Sequence, residues 1–278
     1  MQSGDRSQDS GSTAERVEID TTVPQSARVY DYLLGGKDNF APDRAVGGAL
    51  MQAVPALPRM VRAQREFLAR AVEFLVAEAG IRQFLDIGTG IPSANNVHEV
   101  AQRIAPETRV VYVDNDPIVL AHARALMSIT SAGETAFIQA DLREPEAILA
   151  DPTLRSTIDL TQPVALMLVG ILMHLHDDEK PYEIVATLLE GLPSGSYLTL
   201  THPSADFDQS GMSALAGAAE QGGIPYVPRS RADVERFSTG LELVEPGVVP
   251  ILGWRPDPGA EDVDVNSVYG WASVARKP

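Results

Sequence analysis

Residues 83–92 read Gln83-Phe84-Leu85-Asp86-Ile87-Gly88-Thr89-Gly90-Ile91-Pro92. A short apolar run carries an acid near its end, and a glycine turn follows. Two glycines let the backbone turn tightly and approach a bound molecule closely. A helical stretch over about 94–105 comes next and would offer its free N–H groups at the same place. On its own, such a turn is also what a plain strand-to-helix connection needs. The acid narrows the choice. Asp86 stands two residues before the first glycine, where a carboxylate repels a pyrophosphate and favours a cationic amino group. A dinucleotide-binding loop would put a third glycine at position 93, where this chain has Ser93 after Pro92. Both features count against a nicotinamide-dependent oxidoreductase.

Outward from this stretch, short apolar runs alternate with amphipathic ones. Phe67, Leu68, Ala71, Val72, Leu75, Val76 and Ala79 fall on one helical face, and Gly80 is placed to end that helix. Strands are expected at 83–87, 110–113, 136–139, 164–169 and 197–201. Helices are expected over about 117–128, 144–150, 179–189, 210–221 and 230–239, the one at 179 capped by Asp177 or Asp178. Two β-like runs, 241–249 and 265–274, close the chain. Strand–helix alternation with short links gives an α/β fold with a mostly parallel sheet and right-handed crossovers. Ligands in such sheets bind at the carboxyl ends of the strands.

Acids stand at three successive strand ends: Asp86, Asp114 in Asp114-Asn115-Asp116-Pro117, and Asp141 in Gln139-Ala140-Asp141-Leu142. Asp114 follows Gly90 at the roughly 20-residue spacing of an acid that bonds ribose hydroxyls. Asp116 reads as a helix N-cap. At the third end, a carboxylate can accept from an exocyclic amine while the next backbone amide donates to a ring nitrogen. Any one of these acids could be a solvated turn residue; three in succession point to a ligand.

In this order, DIGTG, VVYVDNDP and QADL resemble the cofactor motifs of class I S-adenosylmethionine-dependent methyltransferases over about residues 80–202. With ARVYDYLLGGKDNF (27–40), NNVHEVAQ and LMLVGILMHLHDD, the chain from about residue 24 onward resembles one bacterial methyltransferase-like family first catalogued as of unknown function. The resemblance implies a three-layer Rossmann-like methyltransferase fold, with a mostly parallel seven-stranded sheet whose last strand is antiparallel. It implies S-adenosyl-L-methionine as cofactor. Asp86 and the backbone at Gly88, Thr89 and Gly90 would face the methionine moiety. Asp114 would bind the ribose, with Asn115 beside the adenine. Asp141 would accept from the adenine amine and the Leu142 amide would meet the ring. Val169 and Gly170 would lie beside the sulfonium and its methyl group. Ile91-Pro92 stands where the usual pattern runs on to a third glycine, which leaves the partner of the methionine carboxylate open.

Residues 25–34 read as a short helix ended by Gly35-Gly36, part of an N-terminal helical lid over about 21–79 that brings Tyr32 or a neighbour to the pocket. His174 follows the fourth strand and is a candidate general base or a pocket wall; His202 ends the fifth and is a weaker substrate-side candidate. His174, His176 and Asp178 spell H-x-H-x-D, but the chain has five histidines in all, too few for the metallohydrolase site this pattern belongs to, and no metal is expected. His98 and His122 read as packing or surface residues.

The chain has 278 residues, 22 Lys and Arg against 38 Asp and Glu, a net charge of −16 and no cysteine. The acidity disfavours nucleic-acid and anionic-membrane partners. Absent cysteine excludes disulfides, thiolate metal sites and a Cys nucleophile. A disordered tail over 1–20, one methyltransferase domain over 21–278, a Pro- and acid-rich surface loop over 254–264 and a cytoplasmic setting are the expectations. The expected function is methyl transfer from S-adenosylmethionine to a small-molecule acceptor. The alternative is a non-catalytic S-adenosylmethionine-binding sensor or partner protein.

Overall fold

The computed structural model describes residues 20–127, 133–257, 259 and 263–278. The expected tail lies outside these except for Asp20, as does part of 254–264. Strand β1 (Gln83–Ile87) pairs in parallel with β2 (Arg109–Asp114) on one side and β4 (Ala165–Val169) on the other. Parallel pairing continues outward from β2 to β3 (Thr135–Gln139) and from β4 to β5 (Tyr197–Pro203). The last strand, β8 (Gly270–Arg276), runs antiparallel to β5. Two-residue strands β6 (Glu242–Leu243) and β7 (Val249–Pro250) both pair with β8. The order is β3-β2-β1-β4-β5-β8-β6, eight strands among the described residues where seven were expected. The extra strand arises because the run 241–249 is interrupted. Pro246 has no N–H to give a ladder, and Gly247 turns the chain at φ 84°.

Side chains alternate across the central strands β1, β2, β4 and β5, which are buried on both faces. Phe84, Val110, Tyr112, Met167 and Val274 face one apolar layer; Leu85, Ile87, Val111, Leu166 and Leu198 face the other. The first layer holds α1 (Ser26–Leu34), α2 (Ala41–Ala53), α3 (Leu57–Ala77), α4 (Val97–Ile104) and α9 (Gln209–Gln221). The second holds α6 (Pro145–Ala150), α7 (Pro152–Thr157), α8 (Pro181–Glu190) and α10 (Arg231–Arg236). Helix α5 (Pro117–Met127) packs at the β2–β3 edge.

Several boundaries move. The helix expected from 94 begins at Val97, because Asn95 takes a left-handed φ of 60° and Asn96 follows in extended backbone. The helix expected from 179 begins at Pro181, and Asp177 bonds Arg229 Nη2 at 2.7 Å instead of capping it. Helix α1 ends as expected on a left-handed Gly35.

Helix α3 holds the first layer together. Phe67, Ala71, Val72 and Leu75 are fully buried on it, and Gly80, at φ 72°, follows its end. Trp254 corrects the surface-loop expectation. It is fully buried, edge-on to Phe67 and Phe74 at 5.4 and 5.9 Å between ring centres. Arg70 of α3 fixes this loop by donating to the Trp254 and Ile251 carbonyls, each at 3.1 Å.

Arg28 fastens the N-terminal segment. It is 2% exposed, and it donates to the carbonyls of Asp20 and Val23, each at 3.0 Å. Its Nε lies 3.7 Å from Asp43 of α2 and 3.6 Å from Asp116. Asp116 caps α5 as expected, accepting from the Ile118 N–H at 2.9 Å.

The Trp254 indole N–H is buried with no partner among the described residues, so its ring contributes through packing. Trp254→Ala is expected to cost about 3–5 kcal/mol in denaturant unfolding, and Trp254→Phe less than about 1.5 kcal/mol. Similar losses for both would show that an aromatic ring alone does not account for the packing.

Candidate active site

A cavity of about 250 Å³ opens at the carboxyl ends of β1, β2 and β4. Its floor is the sheet edge; α1, α3 and residues 223–226 cover it. Asp86, Gly88, Thr89 and Gly90 line it after β1, Asp114 and Asn115 after β2, and Asp141 and Leu142 after β3. Val169, Gly170 and His174 line it after β4. The topology thus brings these strand-end residues into one space.

The glycines are required by position. Gly88 has φ 75°, and a Cβ there would stand 2.5 Å from Ile171. Gly90, at φ 66°, donates its N–H to Asp114 Oδ2 at 2.8 Å. Asp114 also accepts from the Asp116 N–H at 2.9 Å, so the second acid holds the first turn in shape. Burial raises its pKa, against the pull of these N–H groups.

Asp86 occupies the α3-facing side of β1, in line with Phe84, and is 5% exposed. Burial pushes its carboxyl up to about 7, while the Arg65 charge and a Thr89 hydrogen bond pull it down and Asp114 adds to the rise. Asp141 differs. Burial opposes its ionisation, but the Arg143 N–H, the Asn115 amide and the Arg143 charge hold its pKa below the usual carboxylate value. Asn115 Nδ2 reaches Asp141 Oδ2 at 3.1 Å, and the Arg143 N–H reaches Oδ1 at 2.9 Å. The neighbouring Leu142 N–H has no partner among the described residues.

Two histidines of the sequence reading separate. His174 lines the cavity, and its Nδ1 lies 2.7 Å from the Pro225 carbonyl. Burial lowers its pKa, which favours the neutral ring. His202 is fully buried elsewhere, with Nδ1 on the Pro203 carbonyl at 2.9 Å and Nε2 on Arg229 at 3.1 Å, so the substrate-side role is corrected. His176 turns towards Glu220, at 3.5 Å. No group of His, Cys, Asp and Glu that could hold a metal ion occurs among the described residues.

Tyr32 is also corrected. Its ring lies against Gly47 of α2, where a Cβ would meet Cδ1 at 2.5 Å, and it does not line the cavity. Tyr30 does, and donates to the Val61 carbonyl at 3.1 Å. Two residues apart on a helix is about 200° of rotation, so only one of the pair can face the site.

Sequence reasoning missed Gln64 and Arg65, both on α3 and both lining the cavity. Arg65 Nη2 donates to the Ala94 and Asn95 carbonyls and Asn96 Oδ1 at 3.1–3.2 Å, while its buried Nε has no partner among the described residues. A guanidinium with its Nε donor left without an acceptor suits a carboxylate, and a buried acid beside it suits an ammonium group. The residues present therefore fit the amino-acid end of S-adenosylmethionine.

An open, mostly parallel sheet with an antiparallel final strand, a glycine turn and three strand-end acids defines a Rossmann-like methyltransferase. The sequence pattern of the S-adenosyl methyltransferase family matches residues 12–278, and the chain belongs to that family. Its cofactor is accordingly S-adenosylmethionine. A crystal structure of a DUF574 family protein from Streptomyces avermitilis is 47% identical. That match covers 94% of this chain and 100% of the other, with a TM-score of 0.90. A Thermobifida fusca protein assigned to the methyltransferases is 41% identical, covering 96% of this chain and 99% of its own, with a TM-score of 0.87. No curated protein matches. Among the described residues, no helix is long and apolar enough to cross a membrane.

The raised Asp86 pKa has a sign that can be tested. The unfolded carboxyl titrates near 3.8 and the folded one near 7. The folded state therefore holds this proton more tightly, and its stabilising contribution, full below about pH 4, is lost as pH rises through 7. Asp86→Asn is expected to exceed the parent in stability at pH 8 by up to about 4 kcal/mol, the gap closing towards pH 4. Denaturant unfolding at both pH values checks this.

Proposed function

We propose that this cavity binds S-adenosylmethionine across the three strand ends and that the chain transfers the activated methyl group to a small-molecule acceptor. The observation that carries the reading is that Asp86, Asp114 and Asp141 open onto one covered cavity. Asp86 faces the ammonium group, with Gly88, Thr89 and Gly90 passing under the methionine chain. Arg65 takes the carboxylate, the contact that the absent third glycine left open. Asp114 binds the ribose hydroxyls, with Asn115 beside the adenine. Asp141 accepts from the adenine amine and the Leu142 N–H donates to the ring. Val169 and Gly170 stand beside the methyl group.

The cofactor brings a methyl group already activated for transfer, so the protein's task is to bind, align and exclude water. Its positive sulfonium suits a site with more acids than bases. The acidic chain disfavours a nucleic-acid acceptor, and the covered cavity suits a small one.

Calorimetric titration with S-adenosylmethionine and S-adenosylhomocysteine tests the reading. Both are expected to bind in the micromolar range, and Asp114→Ala to weaken each by about 10- to 150-fold, the loss of one charge-assisted contact. Arg65→Ala is expected to weaken S-adenosylmethionine but not its decarboxylated analogue. Binding of neither cofactor, or micromolar binding of NAD or NADP, would overturn the reading; cofactor binding without turnover on any acceptor would favour the sensor alternative.

A further inference from the structure

We propose that the acceptor is an uncharged, largely apolar molecule carrying a hydroxyl group, that it is methylated on that oxygen, and that Gln64 and His174 recognise the hydroxyl. This rests on the methyl-transfer reading above and adds the substrate class.

Away from the strand ends much of the cavity wall is apolar. Leu33, Leu50, Leu57, Met60, Met173 and Ile224 line it, and each is at most 7% exposed. Burying an unpaired charge against such a wall is costly, so an acceptor charge would need a partner. None is free. Arg143 is committed to Asp141, to Glu179 and to the His174 carbonyl. Both oxygens of Asp114 accept backbone N–H groups. Asp86 and Arg65 serve the amino-acid end of the cofactor. A cationic amine or a carboxylate acceptor is thereby disfavoured.

Among the neutral polar side chains that line the same space, the Gln64 amide, His174 Nε2 and the Tyr226 hydroxyl have no partner among the described residues. Gln64 is only 6% exposed, on the apolar stripe of α3, and a Cβ at Gly170 would stand 3.3 Å from its Oε1. Its amide atoms are not sealed from the cavity, and a ligand that displaces water from them must supply the hydrogen bonds in its place. Gly170 follows β4, beside the position proposed for the methyl group, so Gln64 stands at the point of transfer.

The tautomer of His174 follows from its neighbour. A carbonyl only accepts, so Nδ1 donates to Pro225 and Nε2 carries the lone pair. His174 and Tyr226 rings lie 6.4 Å apart, near-perpendicular, which places both beside Pro225. The acceptor's hydroxyl donates to His174 Nε2, and the Gln64 amide donates to its oxygen. The acceptor oxygen bonds the methyl carbon as the carbon–sulfur bond breaks with its electron pair left on sulfur. The hydroxyl proton passes to His174 Nε2 and from there to water. A site whose polar groups await a hydroxyl discriminates against the analogue that lacks one.

The test uses the full chain saturated with S-adenosylhomocysteine and four matched probes: 4-propylphenol, propylbenzene, 4-propylbenzoate and 4-propylbenzylamine. Calorimetry at pH 7.5 is expected to show 4-propylphenol binding at least about tenfold tighter than each of the others. In Gln64→Leu and in His174→Phe the preference of the phenol over propylbenzene is expected to shrink below about threefold, with propylbenzene affinity retained. Titration of each variant with S-adenosylhomocysteine verifies that the cofactor site is intact. The inference is overturned if a charged probe binds as tightly as the phenol. It is equally overturned if the phenol has no advantage over propylbenzene, or if none of the four binds to protein that holds S-adenosylhomocysteine. Failure to hold S-adenosylhomocysteine at all would instead overturn the methyltransferase reading.

Discussion

A carboxylate buried between a central strand and the helix above it is the constraint around which the site is arranged. On β1 the alternation that sends Phe84 into the first apolar layer sends Asp86 there too. Water cannot solvate it, so its surroundings must. Thr89 bonds it, the Arg65 charge offsets it, and Asp114 a strand away opposes it. Each condition fixes backbone in turn. Thr89 reaches Asp86 because Gly88 and Gly90 take left-handed angles. Gly90 is pinned by Asp114, and Asp114 by the turn into α5. The α3 helix must cross above β1 at Gln64 and Arg65.

Interior cations follow a common rule. Arg28, Arg65, Arg70 and Arg229 are each held partly by backbone carbonyls. The planar guanidinium spreads its donors over several acceptors, which lets it join segments far apart in sequence. Arg229 ties residues 172–177 to the loop after β5, behind the wall that carries His174. Arg70 ties the C-terminal loop to α3, and Arg28 ties the N-terminal segment to α2 and α5.

What was legible in the sequence was whatever broke a local pattern. Asp86, Asp114 and Asp141 stand at the ends of β-branched or apolar runs, and parallel topology alone decides that such ends converge. What was not legible depends on contacts made across the fold. Arg65 reads locally as a solvent-side residue of an amphipathic helix; only the path of α3 over β1 turns it inward. Gln64 did leave a trace, because it occupies the apolar stripe between Val61 and Leu68, where a polar side chain calls for a reason. Trp254 was hidden by its company of prolines and acids, which describes the loop after it. Tyr32 and Tyr30 could be separated only by the rotation of α1.

Helix α3 serves two ends at once. Gln64 and Arg65 sit one turn from Phe67 and Leu68, on the helix that carries much of the first layer. A substitution that reshapes the chamber from this side also disturbs the interior packing. The walls contributed by α1 and residues 223–226 are shorter and more peripheral. Divergence among relatives in what they methylate should therefore accumulate in those walls, with α3 the slowest part of the chamber to change.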